Sequence, residues 1–510
     1  MAMNRGVRDI LLALAVGIVI GVLLSSLEST GLTLNSVLSY GVMSALLTLG
    51  FLYAYRRLNP LSFVCKIAVA AILLRLIIGV GLSMALPHYG YAEPQQQAGY
   101  IFRDAFVRDR QAWEFVEKSA PVNQLFNREE MYSDQYGGML AVSAGIYKTF
   151  SADQHRPWLI ILLAAFASGI AVLFLGRIAE GMLGQSAARW ATSIYAFYPE
   201  AVLLGGSQMR DPILMLLITA TWFFVNRWRD WGSRRTLIWA IPTLILLAFF
   251  SYLVAAFTAL TLFIWWWTDY SADRRRPPQT WGWLAILALT AVGVYFTATW
   301  LQDTLVYEKY NAVQNSGMVQ AVTRALPESL TIPFLTAYGL FQPVLPAAIF
   351  DDAAPLWRAV TTFKAAGWYL LLPLLAYIPF ALRKAERSML RRQFAVLALL
   401  MLGWLLLSSV RGAGDMWDNP RYRTIFLPYL AALAAWGILV WRNARDGWLP
   451  RLYLMMSVFV AVFSAWYAQR KLGVGLNLPF AQVTALTAGL WLLIILWGIW
   501  RERKSAVSPR

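Results

Sequence analysis

The amino-acid sequence is divided into blocks of about twenty mostly apolar residues, separated by shorter polar segments. A helix of about 20 residues crosses the ~30 Å hydrocarbon core of a bilayer, so each block is long enough to be a membrane span. Hydrophobic residues make up 59% of the 510 residues and charged residues only 14%, too few to cover the surface of a soluble protein of this size. The pattern predicts an all-α polytopic membrane protein and excludes a soluble enzyme, a disulfide-rich secreted fold and a disordered chain.

The apolar blocks predict a bundle of about 13–14 transmembrane helices. The shorter blocks are compatible with tilted or broken helices. Fourteen spans return the chain to the side on which it begins, so both termini are expected on one side. The predicted spans cover residues 10–27, 37–55, 63–86, 157–175, 188–204, 212–225, 237–249, 253–267, 281–300, 366–382, 395–410, 424–440, 452–466 and 483–500.

The basic residues are concentrated in the loops that fourteen spans place on the same side as the termini. The net charge is +17, with 44 Lys and Arg against 27 Asp and Glu. By the positive-inside rule, the basic side is cytoplasmic. No Asn-x-Ser/Thr sequence occurs, which favours a prokaryotic source. We therefore expect a multi-pass protein of the plasma (inner) membrane of a prokaryote, with both termini cytoplasmic and no role in nucleic-acid binding.

Two polar segments on the opposite side are much longer than the cytoplasmic loops. Long loops in a protein with otherwise short loops are usually functional. In the first of them, residues 111–116 are amphipathic and residues 136–150 are apolar but too short to span, so both are predicted as interfacial helices. The predicted organisation is N-terminal spans 1–86, a first extracytoplasmic loop 87–156, central spans 157–300, a second extracytoplasmic loop 301–365 and C-terminal spans 366–510.

Several classes of chemistry are disfavoured by what the sequence lacks. The cytoplasmic loops are too short for a nucleotide-binding domain, and no glycine-rich phosphate-binding loop occurs, which argues against ATP-driven transport and direct use of a nucleotide sugar. Cys65 is the only cysteine, so no disulfide forms within the chain. His88 and His155 are the only histidines and lie at opposite ends of the first long loop, which argues against a His-based metal site.

The first long loop contains a charged segment, residues 103–114, that is the strongest candidate for catalysis. A carboxylate near the membrane surface, within hydrogen-bond reach of a bound hydroxyl, is able to act as a general base. Asp104 is the first acid of this segment. The competing interpretation is a solvated helix in which Asp104 pairs with Arg108 four residues later, and the charge pattern alone favours that interpretation.

This segment resembles the first long outer loop of the GT-C superfamily of membrane glycosyltransferases, because it has an acid, Asp104, with a small residue, Ala112, eight positions later. Members of that superfamily commonly carry a pair of acids followed by an aromatic residue in the first long outer loop. Here Ala105 replaces the second acid and Arg108 stands at the aromatic position. Asp104 therefore acts either alone or with Asp109, which lies about 140° further around a regular helix, so the two converge only if the segment is irregular.

Three downstream segments extend the resemblance. Residues 132–147 are similar to the interfacial helix that follows the loop in that superfamily, and residues 187–212 resemble its two short spans joined by a tight outer turn. Many members carry Ser-Glu where this chain has Arg210-Asp211. Residues 419–428 resemble the Arg-Tyr-then-Pro signature that opens a late span. The order and topological placement of these segments carry the resemblance, since no single motif is highly specific.

The resemblance implies transfer of a hexosyl or pentosyl residue from a polyprenyl-phosphate donor to an acceptor hydroxyl on a glycan, lipid or protein, by single displacement at the extracytoplasmic face. A divalent metal is left open because some members use one, and no other cofactor is implied. The candidate site residues are Asp104 and Asp109 for catalysis, Arg75, Arg210, Arg421 and Arg423 for the donor phosphate, and Tyr132, Glu200, Asp211 and Tyr422 for substrate binding.

The candidate arginines suit an anionic leaving group. A departing phosphate requires cations aimed at it, and arginine supplies bidentate hydrogen bonds. Arg210, Arg421 and Arg423 are predicted at the outer ends of spans, at the depth of a lipid phosphate. The equally favoured alternative is that they anchor the spans or pair with Asp211 and Asp418.

Arg75 is a separate case because it falls in the middle of a predicted span. An unpaired charge there costs at least ~2.5 kcal/mol, so the side chain is expected to face the protein interior. In that position it either contacts the donor phosphate or pairs with a buried acid such as Glu200, and the pairing is the favoured alternative.

A different class of function remains open, namely a transporter or flippase for a lipid-linked or anionic solute. Transporters often contain two related halves with interrupted spans. The sequence contains no such internal repeat, and large outer loops are not required for alternating access. A polymerase or ligase of lipid-linked glycans at the outer face is a third interpretation, which shares the location and the class of chemistry with a single-sugar transferase.

Overall fold

The computed structural model describes residues 5–29, 31–119, 137–231, 234–272, 284, 310, 317–412 and 420–507, and within these ranges it contains helices and no strand. The helices are α1 (Arg5–Leu27), α2 (Leu34–Leu58), α3 (Ser62–Tyr89), α4 (Pro94–Gln97), α5 (Arg103–Glu117), α6 (Gly138–Phe150), α7 (Trp158–Leu183), α8 (Gln185–Phe197), α9 (Pro199–Gly205), α10 (Asp211–Trp231), α11 (Arg234–Phe250), α12 (Tyr252–Ala272), α13 (Gly317–Ala325), α14 (Glu328–Phe341), α15 (Leu345–Ile349), α16 (Pro355–Ala376), α17 (Ile378–Lys384), α18 (Met389–Gly412), α19 (Arg421–Thr424), α20 (Leu427–Ala444), α21 (Trp448–Leu472) and α22 (Phe480–Val507).

The prediction of a helical, multi-pass membrane protein is confirmed. Within the described residues, eight helical segments are long and apolar enough to cross a membrane, and two shorter apolar helices cover 236–250 and 252–268. The predicted span 281–300 lies outside the described residues. The eight segments are Arg5–Leu27, Leu34–Leu58, Ser62–Tyr89, Trp158–Leu183, Pro355–Lys384, Met389–Gly412, Trp448–Leu472 and Phe480–Lys504.

The chain forms two compact units. Unit 1 comprises residues 1–262 with 425–431, and unit 2 comprises residues 263–424 with 432–510. In unit 1, α7 is the central helix: 83% of its apolar window is buried, and it packs against α2, α3, α8 and α10. In unit 2, α22 is at the opposite extreme, since only 17% of its apolar window is buried. A broad exposed apolar face is expected where a helix contacts lipid.

The predicted span 188–204 is divided into two helices, α8 and α9. Pro199 causes the break, because proline lacks the N–H that a continuing helix would need and disfavours helical geometry in the residue before it. Tyr198 accordingly has an extended backbone, with φ −62° and ψ 118°. The carbonyl groups at the end of α8 are thereby left without partners inside their own helix.

Helix α3 approaches the α9–α10 turn so closely that only glycine fits at the contact. A Cβ atom built on Gly79 would lie 2.3 Å from the carbonyl oxygen of Gly206, whereas a Cβ atom on Gly81 would have no neighbour within 4 Å. Both glycines lie in α3, two residues apart. The contact fixes the α9–α10 turn against the middle of α3.

We expect Gly79→Ala to lower the midpoint of thermal unfolding and Gly81→Ala to leave it equal or raise it slightly. Overpacking of a tight contact costs about 1–3 kcal/mol, whereas alanine at an open helical position is favoured over glycine by roughly 0.5–1 kcal/mol. The measurement is thermal unfolding of the purified protein in detergent, followed by tryptophan fluorescence. Equal midpoints for the two variants would contradict the close approach.

Candidate functional site

Helix α5 has one buried and one exposed face, and the two candidate catalytic acids lie on different faces. The buried face consists of Ala105, Arg108, Asp109 and Ala112, spaced three, four and seven residues apart as one side of a helix requires. Asp104 is exposed. Because α5 is a regular helix, Asp104 and Asp109 do not converge on one point, and of the two only Asp104 is exposed.

Asp109 is the centre of a buried hydrogen-bond cluster, and its side chain is only 2% exposed. Its Oδ1 accepts a hydrogen bond of 2.6 Å from the hydroxyl of Tyr147, and its Oδ2 accepts one of 2.6 Å from the hydroxyl of Tyr100. The Nε2 atom of His155 lies 2.9 Å from the same Oδ2. A buried carboxylate is tolerated only when its oxygens are hydrogen-bonded, and here three groups converge on them.

The two tyrosines act as hydrogen-bond donors across the neutral pH range. Burial raises the pKa of Tyr100 and of Tyr147 well above the usual tyrosine value, and the neighbouring carboxylate of Asp109 raises it further. Their hydroxyl groups therefore stay protonated and point at Asp109. This arrangement ties α5 to α6, which carries Tyr147.

His155 is held on three sides, which makes its ring rigid. Trp113 of α5 stacks on the imidazole, with ring centroids 5.3 Å apart and planes 21° apart. Tyr147 contacts it edge-on at 5.0 Å, and Nε2 lies within hydrogen-bond distance of Asp109 Oδ2. The side chain is 26% exposed, so the ring also reaches solvent. The carboxylate of Asp109 and the two aromatic rings therefore fix the orientation of the imidazole.

Next to this cluster, Arg156 forms hydrogen bonds and ion pairs that stabilise the segment between α6 and α7. Its Nη1 and Nη2 atoms donate to the two carboxylate oxygens of Asp153 at 2.6 and 2.9 Å, and Nη1 also donates to Ser151 Oγ at 2.9 Å. Its Nε lies 3.6 Å from Glu28, which accepts a hydrogen bond from Tyr40 of α2. The hydrogen bonds from Arg156 lower the pKa of Asp153 to about 2. The ion pair between Arg156 and Asp153 is therefore complete at neutral pH and is lost only as the pH falls through that value.

Arg75 is fully buried, and its hydrogen bonds go to backbone carbonyl groups. Its Nη1 donates to Ala196 O at 2.9 Å and to Ala71 O at 3.1 Å, and its Nη2 lies 3.5 Å from Tyr195 O. Two of these acceptors are the carbonyl groups that the break after α8 leaves without helical partners. A cation is favourable at this end of a helix because the backbone dipoles make it negative. The ion pair between Arg75 and Glu200 that the sequence favoured is not observed.

Three other candidate residues of unit 1 lie at or next to the starts of helices. Glu200 and Asp211, both buried, stand in the first turns of α9 and α10, where a negative charge stabilises the helix dipole. Arg210 immediately precedes Asp211 and is partly buried. Arg108 donates through Nη2 to Gln208 O at 2.7 Å, so the buried face of α5 is connected to the α9–α10 turn.

In unit 2, the short helix α19 buries two arginines. Arg421 is 5% exposed and Arg423 is 3% exposed. The guanidinium of Arg423 lies 3.9 Å from the ring centroid of Trp368, and its Nε and Nη2 atoms have no hydrogen-bond partner among the described residues. Tyr422 has the guanidinium of Arg411 at 4.4 Å and that of Arg421 at 5.5 Å from its ring centroid. A buried cation with unsatisfied donors is costly unless an anion binds to it.

The candidate residues from the sequence are thus divided between the two units. Unit 1 contains Asp104, Asp109, Arg75, Arg210, Glu200 and Asp211. Unit 2 contains Arg421, Tyr422 and Arg423. Tyr132 lies outside the described residues, as does Asp418. Within unit 1 the structure brings Asp109 together with three residues that sequence reasoning missed: Tyr100, Tyr147 and His155.

A ligand set for the divalent metal that the resemblance left open is not found in the described part of the chain. No group of three or more His, Cys, Asp or Glu side chains there is arranged to hold a metal ion. His155 and Asp109 form a pair only, and the other neighbours of Asp109 are tyrosines.

Compared with known proteins, the chain matches no family model, no curated protein and no solved structure.

Proposed function

We propose that this protein is a membrane glycosyltransferase of the GT-C type. It transfers a sugar from a polyprenyl-phosphate donor to an acceptor hydroxyl at the extracytoplasmic face of a prokaryotic plasma membrane. The observation that carries the proposal is the anchoring of α5 by one of its two faces. Its buried face is fixed through Asp109, Tyr100 and Tyr147, while Asp104 is left exposed on the other face. A general base needs this combination of a rigid support and an accessible carboxylate.

Asp104 performs the proton transfer in the proposed reaction. Its carboxylate accepts the proton of the acceptor hydroxyl, and the hydroxyl oxygen forms a bond to the anomeric carbon of the donor sugar. The bond between that carbon and the phosphate oxygen breaks, and its electron pair leaves with the polyprenyl phosphate. Because attack and departure take place on opposite faces of one carbon, the configuration at that carbon is inverted.

Within unit 2, Arg423 is the residue best suited to bind a phosphate group. Its buried guanidinium has two nitrogen atoms without a hydrogen-bond partner among the described residues, so a phosphate would satisfy donors that are otherwise unpaired. The same short helix carries Arg421 and Tyr422, which are assigned to donor binding as supporting residues. The assignment of Arg210 in unit 1 to the donor phosphate rests on the resemblance alone. Arg75 already donates to the backbone carbonyl groups at the end of α8, which gives it a structural task in addition to the one expected from the sequence.

The proposal is tested by reconstituting the purified protein in liposomes with polyprenyl-phosphate-linked radioactive sugars and a membrane lipid extract as acceptor. We expect a new glycosidic product, detected by thin-layer chromatography and mass spectrometry, together with free polyprenyl phosphate. Movement of the labelled lipid across the bilayer without a glycosidic product would instead support a transporter or flippase. The length of the product distinguishes transfer of one sugar from polymerisation.

Replacing Arg423 by glutamine should separate a role in phosphate binding from a role in folding. We expect transfer to fall by roughly 10²–10³-fold, the range for removing a donor that stabilises charge in the transition state. The midpoint of thermal unfolding should stay equal or rise, because the variant no longer buries an unpaired charge. Arg387→Gln, at an exposed position of the same unit, is the control and should change neither quantity. A large loss of thermal stability in Arg423→Gln would contradict the assignment.

A further inference from the structure

Unit 2 contains an open groove where three membrane-spanning segments end at the same level. Its volume is about 580 Å³. The segment Pro355–Lys384 ends there, Trp448–Leu472 begins there and Phe480–Lys504 ends there. The groove therefore lies at headgroup depth on one membrane face, the face that the distribution of basic residues predicts to be cytoplasmic. It is lined by Phe380, Arg383, Lys384, Trp448, Ile499 and Glu502.

The polar side of the groove has a net positive charge. Arg383 and Lys384, both exposed, end α17, and neither has an ion-pair partner within the described residues. The one acid of the lining, Glu502, is engaged by Arg451, whose Nη1 lies 3.2 Å from the Glu502 carboxylate. Two cations of the lining are thus available to an anion, and the only competing carboxylate is already neutralised.

The other side of the groove is aromatic and aliphatic. Phe380 stacks on Trp448, with ring centroids 4.8 Å apart and planes 21° apart. From Ile499, an apolar face of α22 continues towards the middle of the span: Leu492 is 55% exposed and Leu496 is 53% exposed. These residues recur at helical spacing on one side of α22, so the basic groove opens onto a continuous apolar surface.

We propose that this groove binds the phosphate headgroup of an anionic phospholipid. Arg383 and Lys384 contact the phosphate, and an acyl chain lies along the exposed face of α22. The pairing of cations with an adjacent apolar track fits a molecule that has both a charged head and a hydrocarbon tail, and a soluble anion would use only half of the surface. The site lies on the face opposite to that proposed for the sugar donor, and the inference does not depend on the proposed catalytic activity.

The test is native mass spectrometry of the detergent-purified protein, titrated with phosphatidylglycerol or with phosphatidylcholine of the same acyl chains. We expect phosphatidylglycerol to be retained at least tenfold more tightly. In the double variant Arg383→Gln/Lys384→Gln the difference between the two lipids should disappear. The single variant Lys384→Gln should give an intermediate loss, and both variants should keep the thermal midpoint of the unmodified protein in phosphatidylcholine because the two side chains are exposed.

The matched control is Arg391→Gln/Arg392→Gln, which removes the same charge from α18 without changing the lining of the groove. This variant should lose less than twofold in affinity for phosphatidylglycerol. An equal loss in the two double variants would mean that the attraction is diffuse and would overturn the site. Equal retention of the two lipids by the unmodified protein, or displacement of phosphatidylglycerol by millimolar inorganic phosphate, would also overturn it.

Discussion

Replacing Asp104 by asparagine is expected to lower glycosyl transfer by about 10²–10⁴-fold, the range that general-base catalysis contributes. Asparagine has nearly the same shape but does not accept a proton at neutral pH, so the acceptor hydroxyl stays protonated and attacks slowly. Asp104 lies on the exposed face of α5, which should leave folding intact in the variant. The measurement is the initial rate of product formation in liposomes, with thermal unfolding measured on the same preparation.

Glu114→Gln is the matched control for this prediction, because it neutralises another partly exposed acid of the same helix. Glu114 lies 3.4 Å from Arg110 and 3.9 Å from Lys118 in surface ion pairs, which contribute little to stability. We expect the transfer rate of this variant to change by less than twofold. Full activity of Asp104→Asn, or an equal loss in both variants, would remove the central catalytic assignment.

Replacing Asp109 by alanine should have the largest effect on stability. It leaves the hydroxyl groups of Tyr100 and Tyr147 buried without their acceptor, and each unsatisfied buried group costs about 1–3 kcal/mol. We therefore expect a loss of about 2–6 kcal/mol for the two hydroxyl groups together. The ring of His155 also loses its orienting partner. The measurement is the free energy of unfolding in detergent, or the shift of the thermal midpoint where unfolding is irreversible.

A double-mutant comparison separates lost hydrogen bonds from lost packing at Asp109. Tyr147→Phe alone removes the hydroxyl that donates to Asp109 and should lower the free energy of unfolding by about 0.5–1.5 kcal/mol. On the background of Asp109→Ala, the same change should be neutral or stabilising because it removes an unsatisfied hydroxyl. If the two single changes simply add, the hydrogen bond between Tyr147 and Asp109 is not the source of the stability.

The sequence predicted the helices of the first long loop more completely than the way they pack. Helices cover residues 111–116 and 138–150 of the two segments predicted as interfacial helices, as parts of α5 and α6. The alternatives for Asp104 and Asp109 were left open because helical periodicity places them about 140° apart without saying which side packs inward. Packing against α6 decided that question, and Asp109 became the buried acid.

His155 could not be recognised from the sequence because its partners are distant along the chain. Asp109 lies 46 residues before it, and the contact exists only when α5, α6 and the start of α7 come together. The one available signal in the sequence was weak. His155 immediately precedes Arg156 and Pro157 at the start of an apolar block, a position where a polar side chain lies near the membrane surface.

The amino-acid sequence by itself determined that the protein is a helical, multi-pass membrane protein, because the length and spacing of apolar blocks are read directly against the thickness of a bilayer. The end of α8 within the predicted span 188–204 was not predicted, although Pro199 is its physical cause. Only the tertiary structure decided which charged side chains are buried and what they contact. Arg75 caps α8 from another helix, and Asp109 is satisfied by residues from three segments. Such contacts depend on how faces pair across the fold, and local periodicity carries no information about that pairing.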